Sequence, residues 1–232
     1  MPSQYAKWAD QTPYNFTFTI KVDLYITHQK KLNNPEEWWS HLQECADALG
    51  HKFCCFLFQF PPLFKCTPAN IEKLREVIKM VPLRYDCALE FRDMLWYIDD
   101  TLILPDNWTV VNLVIPLETE GFGNLDSGFN ISATNTNKRF SYVRFHGTLA
   151  YSAGSYPNEI LSATLSTTRT DTKRKMCFYF NNTDTWEFRD QPITMGILYA
   201  RGIVRNIHIL PSAIRDAMTL KMLSQRRRIV FQ

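Results

Sequence analysis

Five short apolar runs each end in side chains that can do chemistry. Phe16–Lys21 closes on a lysine, and Phe53–Pro62 carries Gln59. Tyr85–Arg92 carries Glu90 and Arg92, Phe140–Gly147 carries Arg144 and His146, and Met176–Asn182 carries Tyr179, Asn181 and Asn182. Glu90 and His146 are the candidate catalytic residues. Burial can bring a carboxyl and an imidazole towards neutrality and fit them for acid–base work. Lys21, Arg92 and Arg144 suit an anionic group, because a guanidinium can hold a phosphate or carboxylate through two bonds. Gln59, Asn181 and Asn182 can orient hydroxyls or amides, with Tyr142, Tyr179 and His28 beside them as binding candidates.

The elements that would position these residues read as parallel strands joined by helices. Phe16–Val22 alternates strictly, and 52–60 is a near-continuous apolar strand of the kind buried on both faces. Further strands are expected over 84–91, 109–115, 140–146 and 175–180. Helices are expected over 3–11, 35–49, 68–81 and 212–223, with one near 157–167 and a weaker stretch over 93–104. Strand and helix alternate about six times at ~30-residue spacing, the pattern of βαβ units on a parallel sheet. A doubly wound sheet and a (β/α)₈ barrel both fit. Residues 118–139 shift to Gly, Asn, Ser and Thr and read as a polar loop excursion. The whole chain, 1–232, reads as one domain.

Parity links the strands to one mouth. Alternate strand residues face opposite ways, so Thr17, Thr19 and Lys21 oppose Phe16, Phe18, Ile20 and Val22. Likewise Cys55, Leu57 and Gln59 oppose Cys54, Phe56, Phe58 and Phe60. Asp86, Ala88, Glu90 and Arg92 oppose Tyr85, Cys87, Leu89 and Phe91. Tyr142, Arg144 and His146 share a face, as do Cys177, Tyr179 and Asn181. Each strand thus has an apolar face for helices and another that turns polar towards its carboxyl end, where ligands bind in both candidate folds. Singly, each residue has a blander reading: a solvated strand end, a buried ion pair, a satisfied interior histidine. The agreement of five strands argues for a shared pocket with a small-molecule ligand.

Other classes fit less well. One strong carboxylate and one histidine fall short of the usual three or four metal ligands, although Asp23 and His28 can raise the count for a divalent metal. No GxGxxG, GxxxxGK[ST] or nucleophile-elbow motif occurs, and no cofactor is expected. A net charge of +3 on 232 residues is no nucleic-acid footprint. Arg226–Arg228 reads as a solvated tail. The six cysteines show no CxxC spacing and read as free thiols. With no signal-peptide core and no ~20-residue apolar span, the chain is expected to be cytoplasmic. The sequons at Asn15, Asn107, Asn130 and Asn181 then read as chance matches.

At these same positions the chain resembles a family of uncharacterised proteins, domain-of-unknown-function family 72 (DUF72), also called YecE-like. The matching runs are Lys7-Trp-Ala, Phe18–Lys21 with Ile26-Thr-His28, and Leu57-Phe-Gln-Phe-Pro-Pro62. Further on come Ala88-Leu-Glu-Phe-Arg92, Tyr142-Val-Arg-Phe-His-Gly147, Tyr151, Ser155-Tyr156, and Tyr179-Phe-Asn-Asn182; Ala213–Leu223 is similar to the family's closing helix. The resemblance implies a TIM-type barrel, similar in outline to sugar-isomerase and endonuclease-IV-like barrels, and no established activity. Two departures stand out. The family's Gly-Thr-Ser-Gly-Trp strand and the next strand have no counterpart, so about six of eight strands are expected. An insertion over 185–211 also precedes the last helix, with a possible hairpin around Arg201-Gly202. The expected function is hydrolase-, isomerase- or lyase-type chemistry on a small anionic or polyhydroxylated substrate. The alternatives are a non-catalytic, truncated barrel that binds a ligand or partner, and, by fold analogy alone, nucleic-acid processing.

Overall fold

The computed structural model describes residues 2–98, 102–115, 123–125, 128–130, 139–146 and 175–180. Helix α1 (Pro2–Gln11) leads into strand β1 (Phe18–Lys21), and a π-helical turn, Tyr25–Gln29, follows. Helix α2 (Pro35–Leu49) starts on Pro35, with Glu36 and Glu37 at the positive end of its dipole. It stops at Gly50, whose φ of 55° suits a residue without Cβ. Strand β2 (Phe53–Gln59) and helix α3 (Pro68–Met80) come next; the Thr67 hydroxyl accepts the Asn70 N–H and caps α3. Then follow β3 (Cys87–Glu90), the short helix α4 (Leu95–Ile98), β4 (Trp108–Val110), β5 (Asn112–Ile115), β6 (Gly128–Asn130), β7 (Phe140–Phe145) and β8 (Lys175–Phe180). The expected helix near 157–167, the insertion 185–211 with its hairpin, and the closing helix lie outside the described residues.

The strands pair in the orders β1-β2-β3-β4 and β6-β5-β7-β8. Every pairing is parallel except that of β5 with β6. The two orders are joined through one run of chain, expected as a single strand over 109–115 but broken at Val111. The Val111 N–H still donates to the Leu89 carbonyl at 2.8 Å, and its own carbonyl accepts from the Tyr97 hydroxyl at 3.3 Å. Beyond the break the chain leaves β3 and pairs with β7. That opens an edge of β5, and Gly128–Asn130 pairs against it antiparallel. This three-residue strand lies within the polar excursion expected over 118–139. The architecture is α/β with parallel sheets. Among the described residues no pairing joins β8 to β1, and no closed barrel is seen. No described helix is long and apolar enough to cross a membrane.

Aromatic packing fixes the helices on the outer faces. Trp38 and Trp39 of α2 meet Phe58 and Phe56 edge-on, at 6.3 and 5.5 Å between ring centroids. Phe60, Phe64, Phe91 and Trp96 form a stack that ties the ends of β2 and β3 to α4. Alternation puts Cys54 with this outer set, and the structure corrects that too. The β1–β2 register jumps from Phe18↔Phe53 to Thr19↔Cys55, leaving Cys54 as the extra residue of a bulge. Its Sγ instead lies 3.4 Å from Sγ of Cys177 on β8.

Two single residues hold the periphery. The buried Lys52 ammonium donates to the Ala9 carbonyl, to the Thr12 carbonyl at 2.7 Å and to the Thr12 hydroxyl at 3.2 Å. It thereby caps the negative end of α1 and docks it beside β2. Gly123 has a φ of 72°, and a Cβ there would collide with the Arg92 carbonyl oxygen. Beside it the Asn124 carboxamide oxygen accepts the Met94 N–H at 2.8 Å, so residues 123–124 clasp the chain just after β3.

Lys52→Met, which strands buried acceptors of α1, is expected to lower stability by about 2–3 kcal/mol in denaturant titration. Gly123→Ala combines backbone strain with that collision and is expected to cost at least 1–3 kcal/mol by the same measurement. An unchanged midpoint for either variant would contradict the assigned role.

Candidate functional site

Strand register decides what surrounds Glu90. Gln59 pairs with Glu90 across β2 and β3, and Arg144 pairs with Tyr179 across β7 and β8. Registered residues of parallel strands share a face, so the interior builds up in layers along each strand. Asp86, Ala88 and Glu90 rise along β3, beside Phe140, Tyr142 and Arg144 on β7 and Lys175, Cys177 and Tyr179 on β8. The lowest layer holds a cluster that the strand-end reading overlooks. Asp86 Oδ2 accepts Lys175 Nζ at 2.6 Å, and Asp86 Oδ1 pairs with Arg139 Nε at 2.8 Å. Lys175 also donates to the Cys54 carbonyl at 3.1 Å and stands over the Phe140 ring. The signal was present in Asp86, which has the parity of Glu90 on the same strand. The middle layer is apolar and thiol-rich, with Tyr142 opposite Cys177.

The top layer is a charged cluster out of contact with water. Glu90 and His146 are 0% exposed, Arg92 3% and Arg144 5%. Glu90 Oε1 accepts Arg92 Nη2, and Oε2 accepts Arg144 Nη1 at 2.5 Å. The same Nη1 also donates to Gln59 Oε1 at 2.9 Å, and the Arg144 guanidinium lies 4.9 Å from the centroid of the Tyr179 ring. His146 Nε2 is 3.7 Å from Glu90 Oε1, beyond a direct hydrogen bond but well within Coulombic range. Its own N–H donates to the Val114 carbonyl at 2.9 Å, holding it in line with β7.

Glu90, Arg92, Arg144, His146, Gln59 and Tyr179 therefore meet at one place. Lys21 stands at the exposed end of β1, and His28 is half-buried in the π-helical turn, with Nδ1 2.9 Å from the Thr27 hydroxyl. Burial, then Arg144, pushes the Lys21 ammonium below its ordinary pKa, with Arg92 adding to the effect and Glu90 opposing it. Burial, then Lys21 and Arg92, does the same to His28. Both residues thus belong to the electrostatic field of the cluster. Tyr142 lies one layer deeper, fully enclosed, and burial pushes its phenol well up. Asn181 and Asn182 lie outside the described residues.

The charge states follow from burial set against partners. Burial alone would raise the Glu90 carboxyl, but the Arg144 and Arg92 guanidiniums, with His146, outweigh it and hold Glu90 well below the usual carboxylate range. Burial brings His146 down to about 4; proximity to Glu90 resists the shift and Arg144 reinforces it. At pH 7 the cluster holds an ionised carboxylate beside a neutral imidazole. Both shifts run downward, away from the neutral range that acid–base work at pH 7 calls for. Among the described residues no three His, Cys, Asp or Glu side chains are placed to hold a metal ion. Asp23 is turned to its own backbone, accepting the Tyr25 N–H at 2.6 Å.

The profile of the family described as "Protein of unknown function DUF72" matches residues 1–187. The chain belongs to the DUF72 family. It is 31% identical to the UPF0759 protein YunF of Bacillus subtilis (strain 168), over 61% of this chain and 52% of that protein. The chain thus spans about half the length of the curated relative it matches. Among solved structures it is similar to a DUF72 family protein from Enterococcus faecalis V583, with a TM-score of 0.60 and 20% identity over 86% of this chain and 84% of that one. A second, from Thermotoga maritima MSB8, gives a TM-score of 0.54 and 19% identity over 98% of this chain and 79% of that one. At these identities the likeness carries the fold alone.

The charge states give a pH signature. An unfolded histidine titrates near 6.5, whereas buried His146 does so at about 4, so the unfolded chain binds the extra proton between those values. Stability from this group is complete above about pH 6.5 and is lost as pH falls towards 4, by roughly 3 kcal/mol. Glu90, whose pKa is depressed, adds further loss below about pH 4.3. Thermal melts across pH 4–7 should show this slope, and His146→Gln should flatten its upper part. A slope unchanged in the variant would exclude His146 as its source.

Proposed function

We propose that the strand carboxyl ends form a pocket for a small anionic molecule, in an arrangement that is part of a TIM-type (β/α) barrel. The observation that carries this reading is the convergence of Gln59, Glu90, Arg144 and His146 at the carboxyl ends of different strands. Arg92 and Arg144 are both buried and both bond Glu90, while Lys21 stands at the exposed end of β1 within their electrostatic field. The buried Arg144 Nε meets no acceptor among the described residues, and a buried donor left without a partner is costly, so an anion that supplies one is favoured. The barrel reading is supported by the parallel pairing within β1-β2-β3-β4 and β5-β7-β8, by the layered interior, and by site residues at the carboxyl ends of different strands.

Roles follow from the charge states. Glu90 works as a fixed counter-ion that aims both guanidiniums, Gln59 and Tyr179 offer orienting groups, and neutral His146 is the group able to accept a proton. An anion bound beside His146 favours its charged form and raises its pKa, which brings it closer to acid–base duty on a small anionic or polyhydroxylated substrate. Six free cysteines, five of them buried, support a reducing compartment, and we place the protein in the cytoplasm.

The test is a thermal-shift panel of small anions and polyols on wild type and Glu90→Gln. At least one anion is expected to raise the wild-type melting temperature by several degrees, with the shift reduced by at least half in the variant. Stabilisation that survives the substitution unchanged would place the binding site elsewhere.

A further inference from the structure

The bulge at Cys54 brings two cysteines together from strands that do not pair. Cys54 lies on β2, in the order β1-β2-β3-β4, and Cys177 on β8, in the order β6-β5-β7-β8. Strict alternation would turn Cys54 to the helix side. The extra residue in the β1–β2 register turns it inward, and its Sγ lies 3.4 Å from that of Cys177. Both thiols are buried. The Cys55 thiol is fully enclosed beside them, with its Sγ 3.6 Å from the Thr19 hydroxyl.

Two further observations concern how the pair is held. Lys175, two residues before Cys177, donates its ammonium to the Cys54 carbonyl at 3.1 Å. The β2 backbone at the bulge is thus already tied to β8 beside the sulfurs. An S–S bond is ~2.05 Å long, so the two atoms need to close by about 1.4 Å. That is a movement on the scale of a side-chain torsion rather than of a strand. The ion cluster at the mouth makes no use of these thiols. At rest they are protonated: the Cys54 and Cys55 thiols, then burial, push Cys177 well up. The Lys175 ammonium acts the other way on Cys55. In a reducing compartment the pair therefore persists as thiols.

We propose that Cys54 and Cys177 are a redox modification site, converted by a hydroperoxide into a disulfide that staples the two sheets. One sulfur attacks a peroxide oxygen, the O–O bond breaks, and a sulfenic acid and one water result. The second sulfur then attacks the first, the S–S bond forms, and the sulfenic oxygen leaves as a second water. The two sulfurs together lose two electrons and two protons, and one peroxide is reduced to two waters. Among the described residues no strand pairing joins β8 to β1, so the new bond crosses between sheets that hydrogen bonds leave separate there. It also lies two residues before Tyr179, whose ring meets the Arg144 guanidinium at the mouth.

The test adds hydrogen peroxide to the folded full chain, alkylates the remaining thiols under denaturing conditions and digests with trypsin without reductant. Mass spectrometry is expected to show peptide 53–65 joined to peptide 176–188, two hydrogens lighter than their sum. Cys54→Ala should abolish the linked peptide, whereas Cys55→Ala and Cys66→Ala should leave it. The bond closes a long loop in the unfolded chain, since the partners are 123 positions apart. Oxidised wild type is therefore expected to melt about 5–10 °C above reduced wild type, and dithiothreitol should reverse the shift. A linkage that survives Cys54→Ala and is lost in Cys55→Ala would overturn the pairing. Oxidation confined to other cysteines would reduce Cys54 and Cys177 to core packing, and a linkage without a rise in melting temperature would overturn the staple.

Discussion

The interior is organised around the Glu90 carboxylate, which is fully buried and shared by two guanidiniums from different parts of the chain. A lone carboxylate there would take up a proton, and lone guanidiniums would be prohibitively costly. Together they are tolerable only in one register of β2, β3 and β7. A shift of one residue in any of these strands would turn Gln59, Glu90 or Arg144 to the helix side. The ion cluster therefore contributes more to specifying how the strands align than to net stability, since a buried ion pair recovers little beyond its own desolvation.

The two ends of the interior solve the problem of buried charge differently. At the amino ends, Asp86 meets Lys175 and Arg139, both partly exposed, and those cations also donate to the carbonyls of Cys54 and Leu83. Water and backbone absorb the surplus there. At the carboxyl ends Arg92 and Arg144 are enclosed beside the Glu90 carboxylate, above an apolar, thiol-lined layer. The cations at the amino ends are thus held partly by backbone, and those at the carboxyl ends by a fully buried carboxylate.

Much of this was legible in the chain, and the reasons for the remainder are specific. The boundaries of α2 follow from Pro35 and Gly50, and β3 from a strict alternation whose polar members proved to be interior. Period-2 alternation cannot anticipate a bulge, so it assigned Cys54 to the outer face; only the register with β1 shows the extra residue. It also could not show the break at Val111, which depends on a hydroxyl from Tyr97 fourteen residues earlier. Likewise Gly128–Asn130 has no strand propensity of note and pairs because β5 presents an open edge. Lys52 reads as a polar residue opening an apolar run. Its role as the cap of α1 is a contact over forty positions, invisible to local pattern.

Parity identified which residues meet at the mouth, but not what they do to one another. Composition treats Glu90 and His146 as a generic acid–base couple, whereas the arginines at Glu90 and burial at His146 drive both pKa values down, for opposite reasons. The carboxylate is held charged by attraction; the imidazole is held neutral by burial and by repulsion from Arg144. Protonating Glu90 in the resting site would remove the counter-charge of both guanidiniums at once. On the proposed reading, an arriving anion would change that arithmetic, because a negative charge beside His146 favours its protonated form. The acid–base roles proposed for this pair therefore depend on a bound anion, since the resting geometry keeps both groups out of the neutral range.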